Sequence, residues 1–188
     1  MKFNWIAISL LLSATAAAAG SAPTGWVKAG NDAGQFQVVV EGSNPAAAWL
    51  ESSSAASGRF GTLMQTIDAR RYAGKRVRWS GQLRAQAVRS WGGLWLRVDG
   101  PSDKVLAFDN MQDRPVRGDS AWRRSEVVLD VPASARRLAF GFLLDGAGRL
   151  AARGLSLAIV GRNVPVTKPG LDSRLLPERP VNLNFKAR

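Results

Sequence analysis

Residues 75–88 read Lys75-Arg76-Val77-Arg78-Trp79-Ser80-Gly81-Gln82-Leu83-Arg84-Ala85-Gln86-Ala87-Val88. Val77, Trp79, Gly81, Leu83 and Ala85 fall on one parity; Arg76, Arg78, Ser80, Gln82, Arg84 and Gln86 fall on the other. In an extended chain successive side chains point to opposite faces. The stretch therefore predicts a strand with one core face and one wet, basic face. A second run, 137–144, alternates in the same way: Leu138, Phe140, Phe142 and Leu144 against Arg137, Ala139, Gly141 and Leu143.

Outward from these two runs, short alternations broken by Gly, Pro, Asp and Ser continue with no sustained helical period. The remaining predicted strands are 35–41, 47–52, 59–67, 92–98, 104–108, 122–131 and 150–160, with at most one helical turn at 68–72. Many short strands at this spacing read as an all-β sandwich or barrel, of which the two-sheet antiparallel sandwich is the expected fold. Residues 20–160 form that domain. Before it, Lys2, an apolar stretch over residues 6–12 and the alanines 16–19 have the layout of a secretory signal over 1–19, with cleavage possible as late as 22. The apolar stretch is too short to span a bilayer, so the mature chain is expected to carry no transmembrane segment and to be periplasmic or secreted. After it, Pro165, Pro169, Pro177 and Pro180 predict an extended tail over 161–188, in which 181–185 alternates again.

Composition removes whole chemistries. The 188 residues contain no cysteine and no histidine. Thiol nucleophiles, thiolate metal sites, a Ser-His-Asp triad and a proximal-histidine haem site are excluded. No cofactor is expected; Asp99, Asp109 and Asp145 are the oxygen donors left for a structural calcium. The formal charge of +12 comes from 26 Lys+Arg against 14 Asp+Glu. Arginine's planar fork suits carboxylates, sulfates and phosphates, so an anionic partner is expected, and nucleic acid is not expected for an exported chain.

The densest cluster of polar and aromatic residues is Trp91-Gly92-Gly93-Leu94-Trp95-Leu96-Arg97-Val98-Asp99-Gly100, followed by Phe108-Asp109-Asn110-Met111-Gln112 and Arg114-Pro115. Leu94, Leu96 and Val98 take the core parity. Trp95, Arg97 and Asp99 share the other face, an aromatic plate beside a guanidinium and a carboxylate. Such a face can stack on a sugar ring and bond its hydroxyls. The candidate ligand-binding set is Trp95, Arg97 and Asp99, supported by Arg78, Gln82, Arg84, Asp109, Asn110 and Arg114, with Trp95 expected to stand exposed. The competing reading packs Trp95 under a loop and pairs Arg97 with Asp99 or Asp109. Asp99, Asp109, Asp113, Asp119 and Asp145 would be the carboxylates of a glycan-active enzyme, but nothing in their spacing demands one; no catalytic residue is assigned.

The segments 61–65, 91–99, 108–111, Arg114-Pro115, Trp122 and 128–132, with Pro180-Val181-Asn182-Leu183-Asn184-Phe185 at the end, together resemble a bacterial domain found alone or attached to AraC-type helix-turn-helix regulators. The resemblance implies a jelly roll like that of galactose-binding and carbohydrate-binding modules, and no established activity. Arg153 departs from it, standing where such modules often place a calcium-binding aspartate. The expected function is non-catalytic binding of a glycan or other anionic envelope polymer. The alternative is a protein-interaction or envelope-structural module whose basic face meets an acidic protein.

Overall fold

The computed structural model describes residues 19–20, 22–52 and 58–168. Residues 1–18 of the expected signal, and the tail from 169 onward with its 180–185 motif, lie outside the described residues. The described chain is all-β, with ten strands: β1 (Ala19–Gly20), β2 (Val27–Gly30), β3 (Gln37–Glu41), β4 (Ala47–Ser52), β5 (Phe60–Asp68), β6 (Arg76–Asp99), β7 (Val105–Asp109), β8 (Val116–Asp130), β9 (Arg137–Asp145) and β10 (Gly148–Val160). Every predicted strand is present. The predicted helical turn is a single hydrogen-bonded turn beginning at Ala69, whose carbonyl accepts from Tyr72 and Ala73 N–H.

One correction organises the molecule. The runs 75–88 and 92–98 are a single 24-residue strand, β6, that belongs to two sheets. Its first half pairs with β10 and β8, and its second half with β9 and β7. Between them lies Ala87 with φ of 50°, and the register with β8 shifts repeatedly from Leu83 to Gly92. Bulges of this kind bend a strand and increase its twist, so β6 passes from one sheet to the other without a loop. A back sheet then runs β1-β3-β4-β10-β6-β8, and a front sheet runs β2-β5-β9-β6-β7. All pairings are antiparallel.

The core lies between the sheets. Val77, Trp79, Leu83 and Ala85 from the first half of β6 meet Leu94, Leu96 and Val98 from its second half, together with Leu138, Phe140, Phe142 and Leu144 of β9. Each fully buried side chain of this size contributes roughly 1.5–3 kcal/mol. Trp79 tilts against Phe140 at 4.8 Å, and its indole N–H donates to the Gly141 carbonyl at 2.9 Å. The alternation read from the sequence is thus the core-facing pattern of both sheets.

The start of the C-terminal segment is anchored on the back sheet. Arg76 forms a two-pronged pair with Asp130, both contacts at 2.9 Å, and its remaining terminal nitrogen donates to the carbonyls of Arg162 and Val164. Thr167 exchanges backbone and hydroxyl bonds with Val128.

Candidate functional site

The front sheet's outer face is built by register. Directly opposed residues in an antiparallel sheet share a face. One row places Phe60, Asp145 and Trp91 side by side; the next, Ala29, Thr62, Leu143 and Gly93; then Val27, Met64, Gly141 and Trp95; then Thr66, Ala139, Arg97 and Phe108. The rows enclose an open cleft of about 620 Å³, whose lining includes Trp91, Trp95, Arg97, Phe108, Asn110 and Asp145. Glycines keep it shallow and close-knit. A Cβ on Gly141 would lie 2.2 Å from the Leu63 carbonyl oxygen, and one on Gly93 would lie 2.9 Å from Met111 Cβ. At one rim Asn31 is fixed by accepting from Phe60 N–H and donating to the Gly58 carbonyl. At the other, the Asn110 carboxamide oxygen accepts from Gln112 N–H.

Trp95 points away from the main core, as its parity predicts, but it is not an exposed plate. It is 7 % exposed and packs with Ala139, Leu143, Met64 and Trp91. Its indole N–H donates to the Thr62 hydroxyl at 2.8 Å. The small side chains at 139 and 141 leave room for the indole to lie down, so Trp95 is the floor of the cleft. The accessible aromatics include Trp91, half-buried, and Phe108, 39 % exposed. Neither was among the candidates. The signal was present: Trp91 has the parity of Trp95 and Arg97, and Phe108 pairs opposite Arg97.

Arg97 reaches the cleft with its guanidinium part-exposed and bonds one Asp99 oxygen through Nε and Nη2, at 3.3 and 3.1 Å. The other oxygen, Oδ1, lies 3.0 Å from Arg97 Nε but makes no well-aligned hydrogen bond. Asp99 itself is buried beneath the arginine and positions it. Asp145 lines the same cleft and has no ion pair or side-chain hydrogen bond among the described residues.

The other candidates separate into two places. Asp109 is fully buried and lies off the cleft. It accepts from both terminal nitrogens of Arg114, from the Thr167 hydroxyl at 2.6 Å and from Met111 N–H at 2.9 Å. Burial pushes its carboxyl up, but Arg114, Thr167 and Met111 together outweigh that and hold it below the usual carboxylate range. Arg114 also bonds Asp113 and the Glu126 carbonyl, so both its terminal nitrogens are spent on the fold. Arg78, Gln82 and Arg84 lie on the outer face of the back sheet, on the far side of the sandwich from Trp95. Because β6 changes sheets, the polar parities of its two halves face opposite directions. Among the described residues no three carboxylates converge as a cation site.

No protein-family profile matches the chain. The chain is 37% identical over 167 residues to the uncharacterized HTH-type transcriptional regulator YbfP of Bacillus subtilis (strain 168), covering 86% of this chain. It spans little more than half of that relative, 56% of its length. Among solved structures it is similar to the enzymatically active domain of bacteriophage CBA120 tailspike protein 4, with a TM-score of 0.54 and 14% identity, covering 73% of this chain and 20% of that one. It is also similar to the CBM22-1 xylan-binding domain of Paenibacillus barcinonensis Xyn10C, with a TM-score of 0.50 and 11% identity, covering 77% of this chain and 91% of that one. A CBM4 structure matches at a TM-score of 0.50 and 14% identity, covering 72% and 86%. The fold is therefore that of carbohydrate-binding-module-like β-sandwiches.

Proposed function

We propose that the chain is an exported, non-catalytic module, periplasmic or secreted, that binds a glycan chain in the front-sheet cleft. The observation that carries this reading is the pairing, in one cleft, of accessible aromatic surface with uncommitted polar groups. Trp91 and Phe108 stand at opposite ends, six residues of strand apart, which is about 20 Å. Each end also carries a charged group: the Asp145 carboxylate, unpaired among the described residues, beside Trp91, and the part-exposed guanidinium of Arg97 beside Phe108. Aromatic faces pack against the C–H faces of sugar rings while charged and amide groups bond the hydroxyls. One guanidinium held by its own carboxylate and one further carboxylate leave the cleft with no net positive charge, which favours a neutral saccharide over an anionic one there. The signal-like layout of residues 1–19 supports export.

The test uses the protein recovered from the periplasmic or medium fraction, with Gly20 expected at its N-terminus by mass spectrometry, applied to a glycan array. Phe108→Ala should weaken retention by about tenfold, the loss of roughly one stacking contact. Its melting temperature should stay near wild type. An intact Met1 on the recovered chain would remove the export reading. Wild-type retention by Phe108→Ala would remove the cleft.

A further inference from the structure

The outer face of the back sheet, opposite the cleft, carries a second kind of surface. Register places Val39, Trp49, Ala151 and Arg84 in one row across β3, β4, β10 and β6, and Trp122 of β8 packs against the same cluster. Two indoles thus flank a small alanine. Arginines lie over both: Arg149 at 4.5 Å and Arg84 at 6.0 Å from the Trp49 ring centroid, and Arg153 at 4.1 Å from that of Trp122. A guanidinium stacked through its flat face keeps its in-plane N–H donors free for a planar anion.

Only some of the cations on this face are neutralised within the fold. Arg149 is paired with Glu51 and Glu41, and Arg78 stands 4.0 Å from Glu126. Arg84, Arg124 and Arg153 have no carboxylate partner among the described residues; Arg153 is steadied by the neutral Gln82. Beside Arg84 a surface pocket of about 550 Å³ opens between β6 and β8, lined by Gln86, Ser120 and Trp122, with Asp119 at its end, where that carboxylate accepts from Ala87 N–H. Trp49 is 3 % exposed, and its Nε1 has no hydrogen-bond partner among the described residues.

We infer that the Arg84, Arg124 and Arg153 surface of the back sheet is a second binding site, for an acidic polysaccharide bearing carboxylate or sulfate groups. The inference is independent of the cleft. A nucleic acid fits less well. Glu41, Glu51, Glu126 and Asp119 interrupt the cationic track that a continuous phosphate backbone would follow. Both indoles are already covered by arginine or buried, so no aromatic face is open to bases.

Polygalacturonate and heparin, as carboxylate and sulfate probes, are titrated into the full mature chain at low salt, beside a 20-base-pair DNA duplex. Wild type should bind at least one of the two glycans and release it as sodium chloride rises. The double variant Arg84→Gln/Arg124→Gln should bind at least tenfold more weakly. Arg124→Gln alone, at an exposed side chain, gives a folded control and should lose part of the affinity. Phe108→Ala should leave polyanion binding unchanged, so failure of this site and failure of the cleft are told apart. Equal binding by wild type and the double variant, no binding of either glycan, or tighter binding of the duplex would overturn the inference.

Discussion

Two arginine–carboxylate pairs that look alike in the sequence behave differently in the fold. In both, a buried aspartate holds a part-exposed arginine: Arg97 with Asp99 and Arg114 with Asp109. Both Asp109 oxygens are satisfied, by Arg114, Thr167 and Met111 N–H, and both terminal nitrogens of Arg114 are engaged, by Asp109, Asp113 and the Glu126 carbonyl. It is a clamp that ties the loop after β7 to β8 and to the start of the C-terminal segment. Around Asp99 the accounting is incomplete. Asp99 Oδ1 lacks a well-aligned bond, and Arg97 Nη1 has no acceptor among the described residues. The spare donor belongs to a side chain that lines the cleft. Completeness of hydrogen bonding, more than the presence of the pair, separates a structural pair from one able to meet a ligand.

The largest expected effect lies beneath the incomplete pair. Trp95→Ala should cost about 3–5 kcal/mol of stability, as large-to-small changes at buried aromatics do, because it empties the floor between Met64, Trp91 and Leu143 and removes the indole N–H that donates to the Thr62 hydroxyl. Thermal melts beside binding isotherms measure it. An unchanged melting temperature would mean that Trp95 is a free plate after all.

Next is the complete pair. Arg114→Lys keeps the charge but cannot reproduce the two-pronged contact, and should cost about 2 kcal/mol, somewhat less than breaking a buried pair outright. The acid arm of the stability curve sharpens this. Asp109's carboxyl is held low in the folded protein, so its contribution is fully present above the unfolded carboxylate range and is lost as pH falls through the lower, folded value. Urea midpoints measured from pH 6 downward should therefore stay level to about pH 4 and drop below it. In Arg114→Lys that drop should be shallower, since less stabilisation remains to be titrated. An acid limb unaltered by the substitution would show that the clamp does not set it.

How much of this was legible follows from what period-2 patterning encodes. Parity assigned Val77, Trp79, Leu83, Leu94, Leu96 and Val98 to the core, and it set Trp95, Arg97 and Asp99 on one shared face. Parity carries no information about which sheet a strand belongs to. The crossover in β6, made by Ala87 and the bulges beside it, therefore hid the fact that Arg84 and Trp95 look out from opposite sides. Nor does parity say what will cover a side chain. Trp95 is covered by Met64 and Leu143, and Asp109 is completed by Thr167, 58 residues away. Those contacts come from strand order, which a single sequence does not display.

The smallest effect on stability, and the sharpest separation of the two pairs, is expected at Arg97. Arg97→Lys leaves a cation over Asp99, so the buried carboxylate is still compensated and the melting temperature should move by less than the equivalent of about 1 kcal/mol. What the lysine lacks is the second, in-plane donor edge that faces the cleft. If that edge bonds a glycan hydroxyl or ring oxygen, affinity should fall by about tenfold, the worth of one charge-assisted hydrogen bond. The two Arg→Lys changes then give crossed results: stability lost with binding kept at 114, binding lost with stability kept at 97. Were both to lose stability equally with no change in glycan affinity, Arg97 and Asp99 would be a second clamp, and the cleft would have to bind through Trp91, Phe108 and Asp145 alone.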